Sequence, residues 1–316
     1  MEFDKTDEKL ISYLYHHYRE PLTKIGKACR LSRDQVEYRI RKYENEGLIR
    51  KYITIFNYDL LGYHEFVVVF LKISREKEAI KKELENMKNV ISTGEVISKY
   101  DLYVNSVFKN KNEFEEIFYS FLEKHKENIE KFSVIALTDA ELYPLKYFGE
   151  KNSEKNYPLV SPNKEVKISE KDMNLLRALE KNGRARIIDI SKQTDISSEL
   201  IVYKIKELYK NKIILGTRLL LGMEKHGFYF GVLLFKLKNL GKKSKEKIKN
   251  LCKNHPYINS LGFGIGEYNC FIQLFYRNEE EFRKSLREIK KELSSGIQDY
   301  ELLLIEEEND VKTLPF

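Results

Sequence analysis

The sequence predicts an α+β protein in which a winged helix-turn-helix is followed by a ferredoxin-like βαββαβ domain, and the pair is repeated twice in tandem. Three observations carry the prediction. With Asp7 set against Asp172, an offset of 165 runs without a gap for over fifty positions. It matches Leu10 with Leu175, Ile11 with Leu176, Leu14 with Leu179, Ile25 with Ile190, Val36 with Ile201 and Ile40 with Ile205, then Gly62 with Gly227 and Phe70 with Phe235. After a three-residue shift, an offset of 168 pairs Val90 with Ile258, Tyr100 with Tyr268 and Phe114 with Phe282, which marks a tandem duplication. Secondly, each half changes its apolar period, from helical spacing to runs of strand formers. Thirdly, residues 149–165 hold two prolines, many polar residues and no periodicity, as expected of a linker.

In the first half, Leu10, Ile11 and Leu14 space a helix over 6–15, with Asp7 and Glu8 in its first turn. A short helix over 23–29 turns Ile25 and Cys29 inward. The next begins at Ser32, a good N-cap, and buries Val36, Ile40 and Tyr43 at i, i+4 and i+7. Gly47 stops it, and 48–53 alternates as a strand. Strands are then expected over 65–74, 90–97, 100–108 and 129–143, with helices over 76–87 and 111–125. The second copy runs from Ser169 to Thr217, then through 229–237, 244–253, 258–263, 269–276, 279–294 and 297–306 in the same order. A four-stranded sheet with both helices on one side leaves a bare face, and the second unit is its natural cover. The expected domains are thus 1–60 and 166–225 (winged helices), 61–148 and 226–316 (ferredoxin-like), and the linker 149–165.

The 316 residues contain 56 Lys and Arg against 49 Asp and Glu, a net charge of +7 that suits a polyanionic partner. The longest apolar runs, Phe66–Leu71 and Phe228–Phe235, are far short of the roughly 18–20 residues of a membrane span. Cys29, Cys252 and Cys270 lie too far apart for a disulfide framework or paired metal-ligand spacing, and no leader opens the chain. A reduced cytoplasmic protein is expected.

Asp4-Lys5-Thr6-Asp7 with Ile11 and Leu14, Leu31-Ser32, Val36 with Tyr38-Arg39-Ile40, Glu46-Gly47-Leu48-Ile49 and Leu61-Gly62-Tyr63 together resemble the Lrp/AsnC (feast/famine) transcription regulators. The resemblance covers both halves, the second more loosely. Regulators of this kind are usually single-copy chains that dimerise through the sheet domain, so a tandem copy resembles that dimer within one polypeptide. Double-stranded DNA is the partner implied, with further homo-oligomers through the sheet domains also in view.

A recognition helix keeps one face apolar and offers the other to the major groove. On 32–43 the expected DNA-binding residues are Ser32, Arg33, Gln35, Arg39, Arg41 and Lys42, with Arg50 and Lys51 on the wing. Arg and Gln reach base edges, and Lys and Arg neutralise phosphates. The second helix offers Lys204 and Lys206 and has lost every arginine. The window 20–52 carries nine basic and five acidic residues, and 185–217 six and four, so DNA contact is expected first of the first copy.

The same resemblance implies an amino-acid-like effector at a Gly-x-Tyr-Asp loop before the third sheet strand. Here those positions read Ser98-Lys99-Tyr100-Asp101 and Gly266-Glu267-Tyr268-Asn269, one copy lacking the glycine and the other the acid. Tyr100, Asp101, Gly264, Gly266, Tyr268 and Asn269 are the effector candidates, glycine allowing a positive φ and close backbone approach. A rival resemblance, to siroheme decarboxylases, rests on Asn254-His255-Pro256-Tyr257 and Tyr268-Asn269. The stretch 259–267 holds none of the His or Arg that tetrapyrrole carboxylates would need. No nucleophile motif, phosphate loop, carboxylate pair or metal spacing stands out, so neither enzyme activity nor a cofactor is expected. A third reading has both winged helices binding protein instead of DNA.

Overall fold

The computed structural model describes residues 3–148, 156–160, 166–293, 296–309 and 312–316. They form two compact units, and each takes segments from both halves of the chain.

The first unit contains both winged helices: α1 (Lys5–His17), α2 (Leu22–Cys29), α3 (Arg33–Asn45) and β1 (Ile49–Phe56), then α6 (Glu170–Lys181), α7 (Ile187–Thr194), α8 (Ser198–Lys210) and β7 (Ile214–Leu221). Side-chain caps start the first and third helix of each copy, at Asp4, Ser32, Ser169 and Ser197. The turn between second and third helices passes through a left-handed residue in both, Arg30 and Asp195. In the first copy Gly26 brings its backbone against the Leu31 carbonyl, where a Cβ would clash. The second copy has Ser191 there, and its hydroxyl donates to the Ile196 carbonyl at 2.6 Å.

The wings β1 and β7 pair antiparallel, with Thr54 opposite Thr217. The first helix of each copy leans on the other copy's wing. Thr217 Oγ1 donates to the His16 carbonyl at 2.6 Å, His16 Nδ1 lies 2.7 Å from the Thr217 carbonyl, and Thr54 Oγ1 donates to the Leu179 carbonyl at 3.3 Å. Gly183 N donates to the Tyr52 carbonyl at 3.0 Å, with Tyr18 and Tyr52 so near that no side chain fits at 183. The two winged helices are therefore held together by buried hydrogen bonds.

The second unit contains both ferredoxin-like copies. The first is β2 (Glu65–Ile73), α4 (Lys77–Asn86), β3 (Val90–Ile97), β4 (Leu102–Phe108), α5 (Lys111–Lys124) and β5 (Ile129–Leu142). The second is β8 (Tyr229–Leu237), α9 (Lys242–Asn254), β9 (Ile258–Gly266), β10 (Cys270–Tyr276), α10 (Glu279–Leu293) and β11 (Ile297–Glu308). Each copy shows the ferredoxin-like strand order, β3-β4-β2-β5 and β9-β10-β8-β11, and every pairing is antiparallel. Two pairings between copies, β3 with β11 and β5 with β9, close these sheets edge to edge into an eight-stranded barrel.

Side chains alternate between the two faces of each strand. On β2, Phe66, Val68 and Phe70 fill the barrel with Tyr100, Tyr103, Leu234, Tyr268 and Leu303, while Val67, Val69, Leu71 and Ile73 pack outward under α4 and α5. Leu233, Phe235 and Leu237 do the same under α9 and α10. Inside, Tyr103 lies opposite Gly94 and Phe271 opposite Gly262, the same cross-strand pair in each copy.

Two expectations need correction. The stretch taken as linker contributes a short strand β6 (Tyr157–Val160) beside β5, since its Tyr-Pro-Leu-Val is apolar enough to be held; 149–155 and 161–165 lie outside the described residues. In the strands the repeat slips by one. Asp101 N donates to the Leu71 carbonyl and Asn269 N to the Phe235 carbonyl, so Leu71, not Phe70, is equivalent to Phe235.

Candidate nucleic-acid interface

Helix α3 is fixed at its start by a reciprocal cap: Gln35 N donates to Ser32 Oγ at 3.1 Å and Ser32 N to Gln35 Oε1 at 2.8 Å. Val36, Ile40 and Tyr43 are buried. The opposite face exposes Arg33 (61%), Tyr38 (70%) and Arg41 (72%). Glu37 bridges the two arginines one turn either way, at 3.7 Å from Arg33 Nη2 and 2.6 Å from Arg41 Nη2. Exposed pairs of this kind contribute roughly 0.2–1 kcal/mol, so a phosphate competes with Glu37 at little cost.

Arg39 is not on that face. Its guanidinium binds Asp7 and reaches Asp4 at 3.1 Å, and the Tyr43 hydroxyl also donates to the Asp7 carboxylate. Burial works against the charge on Arg39, but the hydrogen bonds to Asp7 and Asp4 outweigh it and raise its pKa above the ordinary arginine value. The Asp7 backbone N–H, then Arg39, holds the Asp4 carboxyl below the usual carboxylate range. The second copy repeats the brace: Lys204 Nζ donates to Asp172 at 2.6 Å, with both side chains about one-fifth exposed. Arg39 and Lys204, expected at DNA, instead tie the third helix of each copy to the first. The sequence held the signal, because Asp7 with Asp172 and Arg39 with Lys204 keep opposite charges at one offset.

Of the remaining candidates, Lys51 is paired with Glu180 at 3.3 Å, Lys42 is half-buried, and Arg50 and Lys206 are exposed. Where α3 carries Arg33, Gln35 and Glu37, α8 carries Ser198, Leu200 and Val202.

The effector candidates meet inside the second unit, arranged otherwise than expected. Lys99 Nζ donates to the Tyr268 hydroxyl at 2.5 Å and the Tyr100 hydroxyl to Glu267 at 3.4 Å, so each loop closes on its counterpart. Glu267 and Glu301 stand 3.9 and 3.7 Å from Lys99. Burial works against the charge on Lys99, but the Tyr268 hydrogen bond and the neighbouring Tyr100, Tyr268 and Glu267 outweigh it and hold its pKa above the ordinary value, while burial raises both tyrosines. Asp101, expected to take an ammonium group, accepts from Lys72 at 2.9 Å and from Ile73 N at 2.7 Å. Asn269 bonds both backbone groups of Leu237 at 2.9 Å. Gly264 and Gly266 lie within β9 against β5, where a Cβ would strike the backbone of Ala136 and Val134; neither has the positive φ expected of a ligand loop. Lys99 and Glu267 fill the variable position of the loop pattern and Glu301 lies on β11, so the pattern singles out none of the three. No group of three or more His, Cys, Asp or Glu among the described residues is placed to hold a metal ion.

The fold and the α3 face define a duplicated winged-helix protein whose two copies are joined by strand pairing. The family described as winged helix-turn-helix DNA-binding matches residues 3–50. An uncharacterized HTH-type transcriptional regulator of Pyrococcus abyssi is 28% identical over 146 residues, covering 46% of this chain and 98% of that protein. HTH-type transcriptional regulator FL11 of the same organism is 28% identical over 114 residues, covering 36% and 76%. Part of this chain is thus similar to proteins named as HTH-type transcriptional regulators, about half of its length matching one whole such protein. Among solved structures, the siroheme decarboxylase NirDL in co-complex with an iron-uroporphyrin III analogue aligns with a TM-score of 0.64 over 99% of this chain and 94% of that one. At 13% identity this is a likeness of fold.

Proposed function

We propose that the protein is a sequence-specific DNA-binding transcription regulator acting as an intrachain pseudo-dimer. The observation that carries this is the α3 face, with two outward arginines on a helix capped at Ser32 and braced by Asp7 and Arg39. In this reading Arg33, Gln35 and Arg41 read or grip DNA, Arg50 on the wing touches backbone, and Arg39 positions the helix. Because α8 lacks arginines and turns Lys204 inward, the preferred site is asymmetric. Fluorescence anisotropy on selected duplex fragments, for wild type and Arg33→Ala/Arg41→Ala, tests it. Each lost base contact should cost about 1–3 kcal/mol and each lost phosphate contact about one unit of salt slope. Equal binding by the variant would sink the reading.

An amino-acid-like effector would act at the crossed loops, its carboxylate competing for Lys99 and its ammonium for Glu267; calorimetric titration with amino acids checks this, and heats no larger than dilution refute it. A decarboxylase reading draws on fold likeness alone. Product formation from an added iron-bound tetrapyrrole would overturn ours in its favour.

A further inference from the structure

The second ferredoxin-like copy carries a charge that its counterpart does not. Residues 236–254, the end of β8 and the whole of α9, contain eight lysines and one glutamate, a net +7 equal to the charge of the entire chain. The equivalent stretch 72–86 of the first copy has five basic and four acidic residues, a net +1. The first copy forms the same strand end and helix at a net +1, so the fold itself does not require the excess.

Its distribution agrees. Packing of α9 is supplied by Ile248 and Cys252 on its inner side. Lys247 and Lys249 are spoken for by Glu292 and by Asp139 with Glu141, but Lys236, Lys238, Lys242 and Lys243 are exposed and have no carboxylate partner among the described residues. Lys242 and Lys243 open α9, whose first turn has no acid and whose Gly241 supplies no side-chain cap. Cations there oppose the helix dipole and repel one another, an arrangement that selection for stability removes.

We propose that Lys236, Lys238, Lys242 and Lys243 form a second, sequence-independent contact with the phosphate backbone of duplex DNA. This rests on the DNA-binding reading and extends it beyond the winged helices. Lysine is a point charge on a flexible stem, suited to phosphates and not to bidentate base reading. None of the large apolar side chains exposed elsewhere falls within 236–254. A protein partner would want such an anchor at the centre of its interface, and a membrane-binding helix would want one to insert.

The test uses the full chain and fluorescence anisotropy between 50 and 200 mM salt, on the preferred fragment and on an unrelated 40-base-pair duplex. Lys236→Gln/Lys238→Gln/Lys242→Gln/Lys243→Gln should weaken both duplexes by the same factor, leaving their ratio unchanged. It should lower the salt slope by up to about 3.6 units, at about 0.9 per phosphate. Arg33→Ala/Arg41→Ala should instead lose the preference while keeping salt-sensitive binding that the lysine changes then remove. Wild-type binding with an unchanged slope in the lysine variant overturns this inference alone. A lowered slope in the lysine variant, with fragment preference untouched by the arginine changes, supports this inference and overturns the recognition role of α3. Lysine-dependent capture by phosphatidylcholine–phosphatidylserine vesicles, with duplex binding unaltered, reassigns the patch to membranes and overturns the inference.

Discussion

Replacing Asp7 by Asn tests the brace between the first and third helices with almost no change of shape. Asp7 is buried, 4% exposed, and its carboxylate serves Arg39, the Tyr43 hydroxyl and the backbone N–H of Asp4. The amide keeps one acceptor and turns a donor toward groups that are themselves donors. Breaking a buried ion pair from one side costs about 3–5 kcal/mol, but Arg39 is 26% exposed and can regain water. The expected loss is therefore about 2–3 kcal/mol. In thermal unfolding followed by circular dichroism, that lowers the transition of the winged-helix unit by about 5–10 °C. Asp172→Asn should cost less, about 1 kcal/mol, because Asp172 is itself more exposed than Asp7 and its pair with Lys204 has no tyrosine attached. A double-mutant cycle between Asp7→Asn and Arg39→Ala should show coupling above about 1 kcal/mol. Additive effects, or a melting temperature within a degree of wild type, would refute the brace. Loss of DNA affinity in Arg39→Ala at unchanged stability would return that arginine to direct contact.

Two further outcomes follow from the same geometry. Asp4, Glu83, Glu95 and Asp172 all have lowered pKa values: Asp4 through the Asp7 N–H, Glu83 through Lys124, Glu95 through Lys77 and Lys81, and Asp172 through Lys204 and Ser169 against its own burial. A depressed carboxylate contributes stability that is complete above its unfolded value and is lost as pH falls through the folded one. The denaturation midpoint should thus be flat above the ordinary values of 3.8 and 4.5 and fall below them, and a midpoint that rises on acidification contradicts the assignment. Gly183→Ala drives a methyl into Tyr18 and the Tyr52 carbonyl, where both copies meet. It should destabilise by about 1–3 kcal/mol in urea unfolding, and a neutral result would mean that this contact is looser than it stands here.

Most of the architecture was legible in the chain because period and repetition are local properties. Val36, Ile40 and Tyr43 at helical spacing, Ser32 before them and Gly47 after them specify a capped, amphipathic helix whatever it packs against. The unbroken apolar run Phe66–Leu71 likewise suits a strand buried on both faces. Repetition at offsets of 165 and 168 then placed the elements of the second copy to within about a residue, β8 lying one position short of the offset that fits the helices.

Tertiary structure decided where edges and long side chains go. Nothing local in β3 or β5 says that its partner is β11 or β9, because backbone groups are the same at every edge; only closing the ring leaves none unpaired. Arg39 and Arg41 are two residues apart on one helix, about 200° around its axis, and the spacing alone made both look available. Asp7, brought alongside by the fold, turns Arg39 inward and leaves Arg41 outward. The glycines of β9 and the acid at Asp101 looked like ligand chemistry and became strand packing and a strand-end cap. A side chain's role depends on which group the fold sets within reach of it, and that distance is not written in the spacing of residues along the chain.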